Sequence, residues 1–125
     1  MKKINREELQ NKYKFLKPTN IKEGLMLFGF EVENGWMKIL EELFEKIQKE
    51  LDCDKTIKYF KVTQVKEKFG GLRVYVSGSN DKIDKYIEVA EQKSYKTCES
   101  CGKSPATQNK NGWIVTLCKT CRKNR

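Results

Sequence analysis

Histidine is missing from all 125 residues of the chain. Its absence removes the commonest general base and every Ser–His or Cys–His nucleophile pair at once, so catalysis is not expected. Carboxylates such as Glu31, Glu33 and Glu67 remain, but nothing in their spacing separates them from ordinary surface residues. Long apolar runs are missing too. The longest, Leu25 to Phe30, falls far below the roughly 18–20 residues that a membrane-spanning helix needs. The first eight residues begin basic and then turn acidic and polar where a signal peptide would need its apolar stretch. A cytoplasmic protein with no membrane partner is expected, in a compartment where thiols stay reduced. Internal repeats and low-complexity segments are also lacking, and the length suits one compact body with a small appendage.

What is present is enough apolar residue to fold, 38%, together with 34% charged residues. The net charge of +9 is unevenly spread. Residues 1–30 carry seven basic and three acidic groups, residues 31–92 eleven and thirteen, and residues 93–125 eight and one. Acid is therefore almost absent from the C-terminal end, and such a field attracts polyanions. Lys outnumbers Arg 22 to 4, a bias that an A/T-rich genome also produces, so both origins of the basic excess stay open.

The pattern along the chain implies an α+β fold in which a small antiparallel β-hairpin packs with two helices, followed by a zinc module. Residues 1–30 are poorly defined by pattern, with a short helix around Arg6 to Tyr13 and a turn at Lys17-Pro18-Thr19-Asn20. Trp36, Ile39, Leu40, Leu43, Phe44, Ile47 and Leu51 then share one face of a helix opened by Asn34-Gly35, with Asn34 as N-cap. Glu42–Lys46 and Glu45–Lys49 are expected ion pairs on its outer side. Alternation predicts strands over Thr56 to Lys66 and Leu72 to Val76, joined through Gly70-Gly71. A second helix follows, capped by Asn80 or Asp81, with Ile83, Tyr86, Ile87 and Ala90 inward, ending near Tyr95. Cys53 reads as a partly buried free thiol at a helix end.

Cys98, Cys101, Cys118 and Cys121 form two Cys-x-x-Cys pairs separated by sixteen residues, the spacing of a four-cysteine zinc site. Metal is favoured over two disulfides or four unrelated thiols in a reducing compartment. Four thiolates close the coordination shell, so the single Zn²⁺ is expected to be structural. Gly102 relieves the crowding of the first knuckle. Asn111-Gly112 reads as a hairpin turn before a strand from Trp113 to Leu117, which gives a zinc ribbon or a short treble clef. The division expected is an α+β domain over 1–96 and a zinc-binding module over 97–125.

The segment Gln64 to Arg73 is the second place where residue choice is specific. Lys66, Lys68 and Arg73 around Phe69-Gly70-Gly71 suit a phosphate-sized anion above a glycine turn. The competing reading is a hairpin whose glycines serve turn geometry and whose lysines are solvated. Phe28-Gly29-Phe30, Gly35-Trp36, Gln64 to Arg73, and the cysteine pairs with Gly112-Trp113 together resemble a family of small, largely uncharacterised proteins of bacteriophages, prophages and bacteria. The resemblance implies a phage-related setting and supplies neither reaction nor ligand. The partners to expect are a nucleic acid or a nucleotide-like anion, held by Lys103, Lys110, Lys119, Arg122, Lys123 and Arg125 with Trp113 or Tyr95 stacking on a base. The alternatives are an accessory protein that sequesters a nucleotide signal or grips a host protein, and a plain interaction module.

Overall fold

Residues 6–17 and 29–124 are described by the computed structural model. The residues Pro18, Thr19 and Asn20 of the expected turn, as well as Phe28 and Arg125, lie outside them. The chain is α+β. Helix α1 (Arg6–Lys12) leads through a 3-10 turn (Lys14–Leu16) to strand β1 (Phe30–Glu31), helix α2 (Met37–Cys53), strands β2 (Lys61–Lys68) and β3 (Gly71–Ser77), and helix α3 (Asp81–Ser94). Two short strands, β4 (Thr107–Gln108) and β5 (Thr116–Leu117), and helix α4 (Lys119–Lys123) complete it.

The larger sheet has three strands rather than a bare hairpin, in the order β1-β2-β3. The β2–β3 pair is antiparallel, Val65 opposite Val74 and Lys66 opposite Arg73, while β1 adds in parallel with Phe30 opposite Val65. Two residues give too little alternation to read as a strand. Gln64 Nε2 donates to Glu31 Oε2 at 2.7 Å and fixes that edge.

The poorly patterned N-terminal segment is part of the core. Leu9, Tyr13, Phe15 and Leu16 are buried, and Phe15 meets the rings of Tyr13, Phe44 and Phe60 at centroid distances of 5.1, 5.8 and 5.3 Å. Trp36, Leu40, Phe44 and Ile47 present the buried face of α2, Val62, Val65 and Leu72 that of the sheet, and Ile83 that of α3. Spacing at i, i+3 and i+4 is what aligns the helical set, and its burial supplies most of the stabilisation.

Several local expectations change for identifiable reasons. Asn34 does not cap α2: it opens a 3-10 turn (Asn34–Trp36), and its Oδ1 accepts from Arg6 Nε at 3.0 Å. Strand β2 begins at Lys61 instead of Thr56, because the Asp54 side chain accepts from both the N–H and the hydroxyl of Thr56 and curls the chain into a turn. Glu42 pairs with Lys93 at 3.7 Å and Lys46 lies over the Tyr86 ring, so packing of α3 against α2 replaces the expected Glu42–Lys46 pair, whereas Glu45–Lys49 forms at 3.5 Å. Cys53 is exposed, not partly buried. Asn80 caps α3 as expected, accepting from Ile83 N–H at 2.8 Å. No helix among the described residues is long and apolar enough to cross a membrane.

Candidate metal centre

The C-terminal module is assembled by turns rather than by a core. After α3, the Cys98 carbonyl accepts from Gly102 N–H and the Cys98 N–H donates to the Lys103 carbonyl, both at 2.9 Å, bending the chain into a knuckle. Strands β4 and β5 pair antiparallel, and α4 begins directly after Cys118, whose sulfur accepts from Cys121 N–H. Knuckle, hairpin and helix in that order are the short treble-clef alternative, since a zinc ribbon would present a second knuckle where α4 stands. The hairpin reverses with Asn111-Gly112 in the middle of its loop, residues 109–115, but not as a two-residue turn. Asn109 donates to the carbonyls of Asn111 and Trp113 and accepts from Val115 N–H, so its amide takes over ladder bonds and leaves a longer loop with β5 reduced to Thr116–Leu117.

This folding brings the four cysteine sulfurs within 4.8 Å of one another, with Cys101 and Cys118 at 3.6 Å. A tetrahedron with metal–sulfur bonds of about 2.3 Å has edges of about 3.8 Å, so the set is positioned to hold one metal ion and is compatible with zinc. Protonation differs among the metal-free thiols. Burial works against ionising Cys98, but backbone N–H groups of Cys118, Cys101 and Ser100 outweigh it and bring its thiol down to about 6. The Cys121 N–H likewise lowers Cys118, whereas hydrogen bonds to Cys101 and Cys118 push Cys121 up to about 12. An entering metal must displace the proton that Cys121 keeps, which makes binding weaken with acid.

The module is fastened to the body along a backbone seam. Gly35 N–H donates to the Glu99 carbonyl at 2.8 Å, and a Cβ on Gly35 would stand 2.1 Å from the Cys98 carbonyl oxygen, so only glycine fits. Buried Trp36 donates from Nε1 to the Thr97 carbonyl at 2.9 Å. Glu99, buried inside the first cysteine pair, accepts from Thr116 N–H at 3.0 Å, and the Thr116 hydroxyl donates to the Gly70 carbonyl. Burial, then contact with Glu33 and the charge of Glu67, push the Glu99 carboxyl up to about 7, although Thr116 N–H pulls it the other way.

The expected ligand residues are thereby sorted. Phe69 and Gly70 form the two-residue β2–β3 turn with φ of 54° and 80°, the positive pair that a type I′ turn requires. Gly70 N–H donates to the Glu67 carboxylate at 2.7 Å, so that donor is already engaged, and Gly71 packs against the Tyr95 ring. Arg73 faces α3, 3.8 Å from Glu91 and hydrogen-bonded to the Tyr95 hydroxyl. Of the expected anion cradle, Lys66 and Arg73 are cross-strand neighbours, but a carboxylate already holds the Gly70 donor and Arg73 also serves the α3 contact.

Lys68, Phe69 and Trp113 instead line one cleft of about 320 Å³, together with Glu67, Gly112 and Ile114. Lys66 is half-buried in β2 outside it, Lys119 is exposed on α4, and Arg122 Nη2 donates to the Thr107 carbonyl at 2.6 Å. Gly35, Glu99 and Thr116 were not singled out by pattern as contacts between body and module. A glycine opening a helix and an acid between two cysteines were the signals available. No family model, curated protein or solved structure matches the chain.

Proposed function

We propose that the chain is a zinc-stabilised, non-catalytic binding protein that recognises nucleic acid through its C-terminal module. The carrying observation is the state of its cations. Among the described residues, Lys103, Lys110, Lys119 and Lys123 form no ion pair, and residues 93–125 carry eight basic groups against one acidic, whereas residues 31–92 carry eleven against thirteen. The one acid of the last 33 residues, Glu99, is buried and turned inward. Field lines from the module therefore end on an external partner, and a polyphosphate is the partner that gains most from them.

Zinc has a fixed role in this reading. Four thiolates saturate the ion, so it holds no water and activates no substrate; it shapes a segment with almost no core into a rigid basic surface. A phage-related setting in the bacterial cytoplasm follows from the sequence resemblance. A second reading, sequestration of a nucleotide signal, draws on the cleft between Phe69 and Trp113, whose volume suits a small ligand.

The test is the salt dependence of oligonucleotide binding. About four phosphate contacts give a log–log slope near −3 on a single strand, a loss of about 50-fold between about 50 and about 200 mM salt. Flat binding over that range, or none at its lower end, contradicts the reading.

A further inference from the structure

Two large aromatic side chains stand out from the surface and line one cleft: Phe69 is 66% exposed and Trp113 is 81% exposed. Neither belongs to any of the stacked or edge-on ring pairs of the described residues. Scattered exposed aromatics need no explanation, but two that border the same cleft of about 320 Å³ do.

The backbone under Phe69 adds an independent reason. Its φ of 54° is a conformation that bulky side chains rarely adopt, and in this turn position Asn, Asp or Gly is the ordinary choice. Phe69 is exposed and fills no core, so the unfavourable conformation gains nothing in packing. Strain kept without internal return is characteristic of a side chain held for something outside the protein.

Both walls are fixed before any ligand arrives. The Phe69-Gly70 turn is tied down on one side by the Glu67 carboxylate at Gly70 N–H and on the other by the Thr116 hydroxyl at the Gly70 carbonyl. The Trp113 loop is fixed by the three hydrogen bonds of Asn109. Lys68, at the end of β2, adds a cation beside the Phe69 ring, its Nζ 5.8 Å from the centroid. Aromatic faces with a flanking cation match a ring joined to a phosphate, and preorganised walls lower the cost of ordering on binding.

We infer that the cleft between Phe69 and Trp113 is a stacking slot for one unpaired nucleobase, with Lys68 serving the adjoining phosphate, so that the protein selects single strands over duplexes. This rests on the nucleic-acid reading above and narrows it. In a duplex both faces of every base are covered by neighbours, and none can enter the slot without being unstacked.

The test uses the zinc-loaded full chain. Trp113 is the exposed tryptophan and Trp36 is fully buried, so fluorescence quenching reports on the cleft. Titrations compare a single-stranded oligonucleotide, an abasic strand with the same number of phosphates, a duplex, a mononucleotide and an acidic tyrosine-containing peptide. The single strand is expected to quench Trp113 and to bind at least about tenfold more tightly than the abasic strand or the duplex. Phe69→Asn suits the positive φ and should melt no lower than the parent, yet it and Trp113→Ala should bring the single strand down to the abasic level. Saturable quenching by the mononucleotide supports the slot and identifies a free nucleotide as a source of the base. Equal binding of abasic and intact strands, parental binding by Phe69→Asn, or preference for the peptide overturns the slot. The first two of these leave the polyanion reading standing, while failure of every strand to bind at about 50 mM salt overturns both.

Discussion

The body and the C-terminal module reach order by opposite means. Among the described residues the body gathers twenty buried side chains into one core, drawn from α1, the 3-10 turns, the sheet, α2 and α3. The module gathers four, and two of those, Cys98 and Cys118, belong to the cysteine set positioned to hold a metal ion. A segment so poor in apolar burial cannot offset the entropy of fixing its backbone at about 1–2 kcal/mol per residue. A metal held by the four cysteines would supply what the core does not. The body should therefore survive changes that erase the module, and the seam between them should be the sensitive boundary.

The largest effect should come from the metal. Structural zinc in small peptides contributes on the order of 10–16 kcal/mol at neutral pH, so chelation or Cys118→Ser should unfold the module outright. In a two-dimensional NMR spectrum the amides of 97–124 should collapse to random-coil positions while those of α2 and α3 stay dispersed. Loss of dispersion throughout would mean that body and module are one cooperative unit.

Next in size is the seam. In Gly35→Ala the new methyl would meet the Cys98 carbonyl oxygen and the Glu99 carbonyl carbon at 2.1 and 2.4 Å, backbone atoms that cannot swing aside. A cost at the upper end of overpacking, about 3 kcal/mol, is expected in thermal unfolding. The Trp113 loop should become more accessible to protease, with metal content unchanged.

A smaller effect follows from Glu99. Its carboxyl titrates at about 7 in the folded chain against an ordinary value of 4.5, so the folded state holds a proton that the unfolded state has released between those two values. Stability from this group is therefore present below pH about 4.5 and is lost as pH rises through about 7. Glu99→Gln keeps an acceptor for Thr116 N–H and removes the titration. Its melting temperature relative to the parent should rise between pH 5 and 8, and a constant difference would show that Glu99 does not titrate there.

Sequence legibility divides along the same line. The α2 face from Trp36 to Ile47, the alternation of Leu72 and Val74 and the Asn80 cap were readable because each is a local pattern with its own period or position. The four cysteines were readable because metal spacing is a local rule as well. What escaped is non-local. The strand at Phe30–Glu31 exists only because β2 offers it an edge, Asn109 reorganises a loop that Asn111-Gly112 seemed to define, and Arg73 is drawn from the turn to Glu91 by a helix 18 residues on. Phe69 was visible in the sequence, but its positive φ follows from the two-residue turn that the strand register sets, and its sharing of a cleft with Trp113 depends on module and hairpin being fastened through Thr116 and Gly70.

The order attributed to the module rests on a metal at the four cysteines, as proposed, and the zinc content of the chain purified under reducing conditions at neutral pH tests that most directly. Elemental analysis should return one zinc per chain for the parent and none for Cys101→Ser, the thiols having been brought within 4.8 Å for a single ion. A parent chain that carries no metal while its module amides remain dispersed would contradict the account.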